Sequence, residues 1–231
     1  MRSKSKITQS KNKDEEKMRS SSDNICKLIA EKYPVQLIEW LFGLKVSKVE
    51  VLKTELTREP IRADSVILLE SGNQIFHVEF QTTAKSHLPL ALRMLDYYVA
   101  LKRKFLDKEI RQVLVVLTDN GEEVPDTYKS RQCLFKYGVV KVWEEEPDEL
   151  LKYEPLSSLA VLCGTKKQDE ALLIKVANRI NEIEDENERR EHLNMAQMLA
   201  GLRFNRKMIY ELMRGRVQLK VCLISDEKIN Q

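Results

Sequence analysis

The stretch from Gln74 to Leu117 changes its hydrophobic period twice, which constrains the fold more than any other part of the chain. Gln74–Gln81 is predicted to be a strand, and His87–Phe105 has the spacing of an amphipathic helix. Val113–Leu117 is a continuous apolar run, typical of a central strand that is buried on both faces. A strand, a helix and a second strand in this order predict a crossover connection and therefore a mixed sheet with helices on it.

The predicted helix at His87–Phe105 has two distinct stripes. The apolar stripe consists of Leu88, Ala91, Leu92, Leu95, Tyr98 and Val99. The other stripe consists of Arg93, Tyr97 and Lys104, whose spacing returns them to one side of a helix.

The remaining patterns predict an α/β chain with a helical C-terminal region. Asp23 can cap a first helix, Pro34 begins a second helical turn, and Gly43 ends it. The other predicted strands are Val46–Leu56, Ile61–Glu70 and Gly138–Trp143, with a hairpin turn at Ser71-Gly72-Asn73. The helical segments predicted beyond Pro147 are Leu156–Leu162, Asp169–Asn181, Asn187–Leu202 and Asn205–Arg214.

Charge is unevenly distributed along the chain. Lys and Arg total 39 and Asp and Glu total 36, for a net charge of +3. Residues 1–22 are rich in Lys and Ser and almost free of large apolar side chains, so we predict a disordered basic leader, with Met18 as an alternative start. We therefore divide the chain into this leader at 1–22, a core at 23–146 and a helical C-terminal region at 147–231.

Apolar segments and cysteines predict a cytoplasmic protein with no membrane partner. No apolar run approaches the ~18 residues of a membrane span, and the leader lacks the apolar region of a signal peptide. A zinc site is not expected either, because the chain has three histidines and no C-x-x-C pair. The widely separated cysteines, which suit a reducing compartment, are Cys26, Cys133, Cys163 and Cys222.

The hairpin around Gly72 is predicted to bring four polar side chains to one face of the sheet. If Ser71 and Gly72 form the loop, Asp64 lies opposite Glu79; if Gly72 and Asn73 form it, Asp64 lies opposite Gln81. A three-residue loop without a bulge would instead send Asp64 to the other face. In both two-residue registers the shared face carries Arg62, Asp64, Glu79 and Gln81.

Two neighbouring carboxylates within apolar strands repel each other unless a cation neutralises them. A hard divalent ion such as Mg²⁺ could do this through carboxylate oxygens and bound waters. A structural alternative is an ion pair with Arg62, or with Arg93 from the following helix. His77 precedes Glu79 on the same face and could support the site, but an ordinary strand position is the simpler interpretation.

The amino-acid sequence of this region resembles that of a known nuclease family. Three segments carry the likeness: Arg62-Ala63-Asp64, His77-Val78-Glu79-Phe80-Gln81-Thr82 and Leu90-Ala91-Leu92-Arg93-Met94-Leu95-Asp96-Tyr97-Tyr98. In this order they are similar to the Rpn family of recombination-promoting nucleases, which are also described as transposase-related. That family belongs to the PD-(D/E)XK nuclease superfamily. The resemblance spans roughly 23–143 and implies a restriction-endonuclease-like α-β-β-β-α-β core.

The resemblance implies a role for each matching residue. Asp64 and Glu79 would hold Mg²⁺, with Mn²⁺ as a substitute ion, and Gln81 would stand where the superfamily has a lysine. Glutamine can still orient a water but contributes no cation, which bears on the rate.

Four further residues are candidates for the same site. Asp23 is the candidate for an additional acid from the first helix, with Glu39 behind it, although an N-cap and a solvated helix face are the plainer interpretations of these two residues. Arg93 and Arg62 are the candidates for a phosphate contact.

Three hypotheses follow for function. The first is a Mg²⁺-dependent DNA endonuclease linked to recombination or transposition. The second is a catalytically inactive nuclease fold that binds nucleic acid or a protein, and the third is an interaction protein whose acidic pair is structural. Residues 201–220 carry six basic side chains and one acid, which suits DNA or an acidic partner segment, and Arg203, Arg206 and Lys207 are predicted to share a helical face. The apolar run Val217–Ile224 could form a homo-oligomer contact.

Overall fold

Short strands and longer amphipathic helices build the first part of the chain. The computed structural model describes residues 21–52, 66–165 and 168–214. The chain divides into two compact units, Met1–Trp143 and Glu144–Gln231. The elements described in the first unit are α1 (21–32), α2 (Pro34–Phe42), β1 (Glu50–Val51), β2 (Val66–Ser71), β3 (Gln74–Gln81), α3 (Leu90–Lys104), β4 (Glu109–Val116), β5 (Thr127–Lys129), β6 (Leu134–Lys136) and β7 (Gly138–Lys141).

The five-stranded sheet is mixed. Its strand order is β1-β2-β3-β4-β7, and β5 and β6 form a separate two-stranded sheet. The pairs β1–β2 and β2–β3 are antiparallel, whereas β3–β4 and β4–β7 are parallel. Helix α3 connects the parallel strands β3 and β4, because a parallel pair needs a crossover. The predicted α/β class with a mixed sheet is confirmed.

The hairpin between β2 and β3 takes the second of the two predicted registers. Ser71 pairs with Gln74 and Val66 pairs with Glu79, so Gly72 and Asn73 are the loop. Gly72 has a φ of 58°, a left-handed conformation that glycine adopts without steric cost. This register predicts Gln81 as the partner of Asp64, but residues 53–65 lie outside the described ranges, and with them the predicted positions of Arg62 and Asp64 and parts of both strands predicted before Ser71.

Helix α3 buries a different face from the apolar stripe seen in the sequence. Its buried residues are Leu90, Ala91, Met94, Tyr97 and Leu101, whereas Leu88 and Leu92 are exposed. Leu90, Met94 and Tyr97 pack on Leu114 and Val116 of β4. The buried face is therefore rotated about the helix axis relative to the apolar stripe and shares only Ala91 with it. The physical reason lies on the sheet, where Glu79 is paired with Arg93 beside the buried Tyr97.

The opposite face of the sheet is covered by α2. The Phe76 ring of β3 meets the Phe42 ring of α2 edge to face, with the ring centroids 4.9 Å apart. Since side chains alternate along a strand, Phe76, Val78 and Phe80 belong to this face, and Glu79 belongs to the face under α3. The sheet is thus enclosed on both faces, and Glu79 lies in its interior.

The second unit is helical around one buried segment. Its elements are α4 (Pro147–Leu151), a 3₁₀ helix (Glu154–Leu162), α5 (Glu170–Asn181), α6 (Glu186–Ala200), α7 (Arg206–Ile209) and a π-helical turn (Tyr210–Arg214). Residues 156–162 of the 3₁₀ helix are all buried. Asp169 and Asp185 cap α5 and α6 by accepting hydrogen bonds from backbone N–H groups.

The sequence predicted that Arg203, Arg206 and Lys207 share one helical face. In the structure they do not. Arg203 lies in the turn between α6 and α7, where it donates to the backbone carbonyl of Cys163 and stacks over the Phe204 ring. Arg206 and Lys207 belong to α7, and Lys207 faces Glu211. The prediction fails because Asn205 caps a new helix and so interrupts the periodicity between Arg203 and Arg206. Within the described part of the chain, no helix is long and apolar enough to cross a membrane.

Candidate functional site

Glu79 is a buried carboxylate near the carboxyl end of β3. Its side chain is 1% exposed. The Oε1 atom accepts from the Arg93 guanidinium of α3 and from Gln81 Nε2 at 2.9 Å. The Oε2 atom has no hydrogen-bond partner among the described residues. Arg93 and Gln81 therefore both contact the same carboxylate oxygen of Glu79.

Burial controls the acidity of Glu79. It raises the pKa of the carboxyl group to about 7, against the lowering effect of the Arg93 charge and of the Gln81 hydrogen bond. A nearby acid, Asp23, adds to the increase. The carboxyl group thus titrates close to neutral pH, as groups in functional sites often do.

Arg93 connects the sheet to the loop that precedes its own helix. One guanidinium nitrogen bonds Glu79, and Nη1 donates to Ser86 Oγ at 3.1 Å. Burial alone would lower the pKa of Arg93, but the Glu79 carboxylate and the Tyr97 oxygen leave it raised. The planar fork of an arginine, which holds several N–H donors in a fixed geometry, suits this double contact.

The start of α1 lies at the carboxyl end of β3. Ser22 Oγ is 3.1 Å from Thr82 Oγ1, and Asp23 is close enough to raise the pKa of Glu79. Asp23, the candidate for an additional acid, is therefore close enough to Glu79 to act on the charge of its carboxylate. Glu39 of α2 is not among the groups that shift the pKa of Glu79.

Two of the predicted site residues, one metal ligand and one phosphate contact, are not described. Asp64 and Arg62 both fall in 53–65, outside the described ranges. Within the ranges that are described, no group of three or more His, Cys, Asp or Glu side chains is arranged to hold a metal ion. Glu79 and Gln81 are adjacent on one sheet face, and their hydrogen bond makes them a unit.

The sequence pointed to His77 as a possible supporting residue, but its buried partner, Gln112, was not predicted. His77 is fully buried and lies opposite Gln112 in the β3–β4 register. Gln112 Nε2 donates to His77 Nδ1 at 2.7 Å and to the Met94 carbonyl of α3 at 3.1 Å. The His77 ring meets the Tyr97 ring edge to face with centroids 5.0 Å apart. A polar glutamine flanking the apolar run Val113–Leu117 was the available signal.

The donor atoms at this site fit a hard cation in part. Glu79 Oε2 is a possible metal-ligating oxygen and has no hydrogen-bond partner among the described residues. The amide oxygen of Gln81 takes no part in the hydrogen bond that the amide nitrogen donates to Glu79. Oxygen donors of this type are the ones that Mg²⁺ prefers. Arg93 already supplies one positive charge to Glu79, so a cation here would need a second acid.

No protein-family model, curated protein or solved structure matches this chain.

Proposed function

We propose that the protein is a cytoplasmic, Mg²⁺-dependent DNA endonuclease linked to recombination or transposition. The observation that carries the proposal is the buried carboxylate of Glu79 beside Gln81 and Arg93, whose Oε2 has no hydrogen-bond partner among the residues that the structure describes. The order of α1, α2, β1–β3, α3 and β4 agrees with the nuclease core that the resemblance implies. Among the motif residues that the structure describes, Glu79 and Gln81 come from β3 and Arg93 comes from α3.

The roles of the residues follow from their chemistry. Glu79 and Asp64 would hold Mg²⁺ or Mn²⁺, and the ion when bound would supply an activated water and neutralise charge on the phosphodiester. Gln81 would orient that water through its amide. Arg93 and Arg62 would hold phosphate oxygens, for which the forked guanidinium is suited. Asp23 would add negative potential for the cation.

A second function has an observation in its favour. The Glu79–Arg93 pair already neutralises the carboxylate without a metal ion, since Arg93 is 16% exposed and bonded to both Glu79 and Ser86. Such a pair is compatible with an inactive nuclease fold that binds nucleic acid or a protein partner. A homo-oligomer is compatible with both functions, and Val217–Ile224, which would carry its contact, lies outside the described ranges.

Plasmid nicking in Mg²⁺ or Mn²⁺ tests the proposal. Wild type is compared with Glu79→Gln, Asp64→Asn and the matched control Glu109→Gln, whose carboxylate is exposed at the far end of the neighbouring strand. We expect nicking by wild type and Glu109→Gln, and a loss of ~10³-fold or more in the other two variants.

The alternatives give other results. Equal nicking by all four proteins would identify a contaminant and remove the assignment. Absence of nicking together with salt-dependent DNA binding would favour the inactive nuclease fold, and absence of both would favour a protein-interaction role.

A further inference from the structure

Four buried polar atoms beneath the candidate site have no hydrogen-bond partner in the described part of the chain. They are His77 Nε2, Glu79 Oε2, Tyr97 Oη and Gln112 Oε1. Buried polar groups are normally paired with protein or ordered water, because an unpaired group costs about 1–3 kcal/mol. Three of these atoms, on the neighbouring side chains of His77, Glu79 and Tyr97, therefore point to a shared ligand.

The hydrogen-bond pattern fixes where the proton of His77 lies. The Met94 carbonyl can only accept, so the Gln112 atom that contacts it must be the amide nitrogen. The same nitrogen contacts His77 Nδ1 at 2.7 Å, so Nδ1 accepts. A neutral imidazole with Nδ1 as acceptor carries its proton on Nε2. His77 Nε2–H is then a buried donor that points away from Gln112.

Donors and acceptors around this point are complementary. His77 Nε2–H can donate, Glu79 Oε2 can accept, and the Tyr97 hydroxyl, whose oxygen lies beside the Arg93 guanidinium, can donate its proton. His77 and Glu79 are two residues apart on the same face of β3, and the Tyr97 ring touches the His77 ring. Tyr97 is also close enough to Glu79 for the carboxylate to raise its pKa. A buried water commonly takes about three hydrogen bonds, which is the number available here.

We infer that His77, Tyr97 and Glu79 bind an ordered internal water, and that His77 and Tyr97 act through it as positioning residues for the Glu79 carboxylate. The water would accept from His77 Nε2–H and donate to Glu79 Oε2, with Tyr97 as its third partner. Gln112 holds His77 in the required tautomer and ties it to the backbone of α3. The positioning half of the inference rests on the proposed function; the water site does not.

Nuclear magnetic resonance of the imidazoles tests the water site in the full chain. The three histidines can be labelled with ¹⁵N, and His77→Gln assigns the signal of interest. We expect the Nε2–H tautomer for His77 and cross-relaxation between its Nε2 proton and a long-lived water. The Nδ1–H tautomer, or a Nε2 proton without a water contact, would overturn the water site.

Mn²⁺ binding tests the positioning role without any DNA. Tyr97→Phe removes only the hydroxyl, and Tyr98→Phe is the matched control because Tyr98 packs on Phe135 instead. Loss of a group that orients a metal ligand typically weakens affinity ~10–100-fold, so we expect at least ~10-fold for Tyr97→Phe and no change for Tyr98→Phe. Equal Mn²⁺ affinity in both variants would overturn the positioning role.

Failure of the proposed function would be recognised separately. If wild type binds no Mn²⁺, or if Glu79→Gln binds it as tightly as wild type, the metal assignment and the positioning role both fail. The tautomer and the water contact of His77 would then still decide the water site, since neither measurement involves a metal ion.

Discussion

Replacing Glu79 with glutamine should remove a pH dependence of folding stability. The folded-state pKa of Glu79 is raised to about 7 from an ordinary 4.5, chiefly by burial. The protonated form is therefore favoured in the folded protein. Its contribution to stability is fully present below pH 4.5 and is lost as the pH rises through 7. Glutamine cannot ionise, and its side-chain oxygen can still accept from Gln81.

The magnitude follows from the two pKa values. A tenfold change in an equilibrium constant is about 1.4 kcal/mol, so a pKa of about 7 against 4.5 corresponds to roughly 3 kcal/mol. Relative to Glu79→Gln, wild type should lose about that amount of unfolding free energy between pH 4.5 and pH 8. Changes in packing and hydrogen bonding caused by the substitution shift the unfolding free energy of the variant at every pH, so the difference in slope against pH measures the titration of the Glu79 carboxyl group.

Urea denaturation followed by tryptophan fluorescence is the appropriate assay. Both tryptophans, Trp40 and Trp143, belong to the unit that contains Glu79. The measurements are made in EDTA, so that metal binding does not contribute. Parallel curves for wild type and Glu79→Gln across pH 4.5–8 would refute the reasoning, because they would mean that Glu79 has the same pKa in the folded and unfolded states.

Three further predictions concern the site, the core and the second unit. Gln81→Lys should raise the nicking rate ~10–100-fold, since it restores a cation beside the developing charge; an unchanged rate in the plasmid assay would exclude that role. Leu114→Ala should cost about 3 kcal/mol by urea denaturation, because Leu114 is fully buried under α3, whereas Leu92→Ala on the exposed side should cost less than ~1 kcal/mol. Arg203→Ala should cost about 2 kcal/mol of thermal stability by circular dichroism through loss of the Cys163 carbonyl contact, and Arg206→Ala should be close to neutral.

The sheet could be predicted where the chain itself determines it. Val113–Leu117 is apolar without interruption, and Gly72 limits the hairpin to short loops, so a mixed sheet and two possible β2–β3 registers followed from local patterns, and the structure takes one of the two registers. The hairpin Thr127–Lys129 and Leu134–Lys136 was missed, because each strand has three residues and no clear alternation. Local signals of that length do not distinguish a strand from a loop.

Some of the residues at the candidate site could be predicted from the sequence, but the extent of their burial could not. Glu79, Gln81 and Arg93 were selected by residue type and spacing. The burial of Tyr97 could not be predicted, because the rotation of α3 depends on a partner that lies 14 residues before Arg93 in the sequence. The His77–Gln112 contact depends on the parallel register of β3 and β4, which no local pattern specifies.

Arg93 distinguishes a structural ion pair from a cation site. Arg93→Met leaves a buried carboxylate without its counter-charge, so at pH 8 it should cost about 3–5 kcal/mol, and much less at pH 5, where Glu79 is protonated. Arg93→Lys keeps the charge and should cost less than Arg93→Met at pH 8. If Glu79 can hold a divalent ion, Mn²⁺ should restore part of the stability of Arg93→Met at pH 8, because a ligand that binds only the folded state stabilises it. Urea midpoints of Arg93→Met with and without Mn²⁺ measure this directly. An unchanged midpoint would mean that Glu79 does not bind a divalent ion in place of Arg93. The carboxylate would then serve only to hold α3 on the sheet through its ion pair with Arg93.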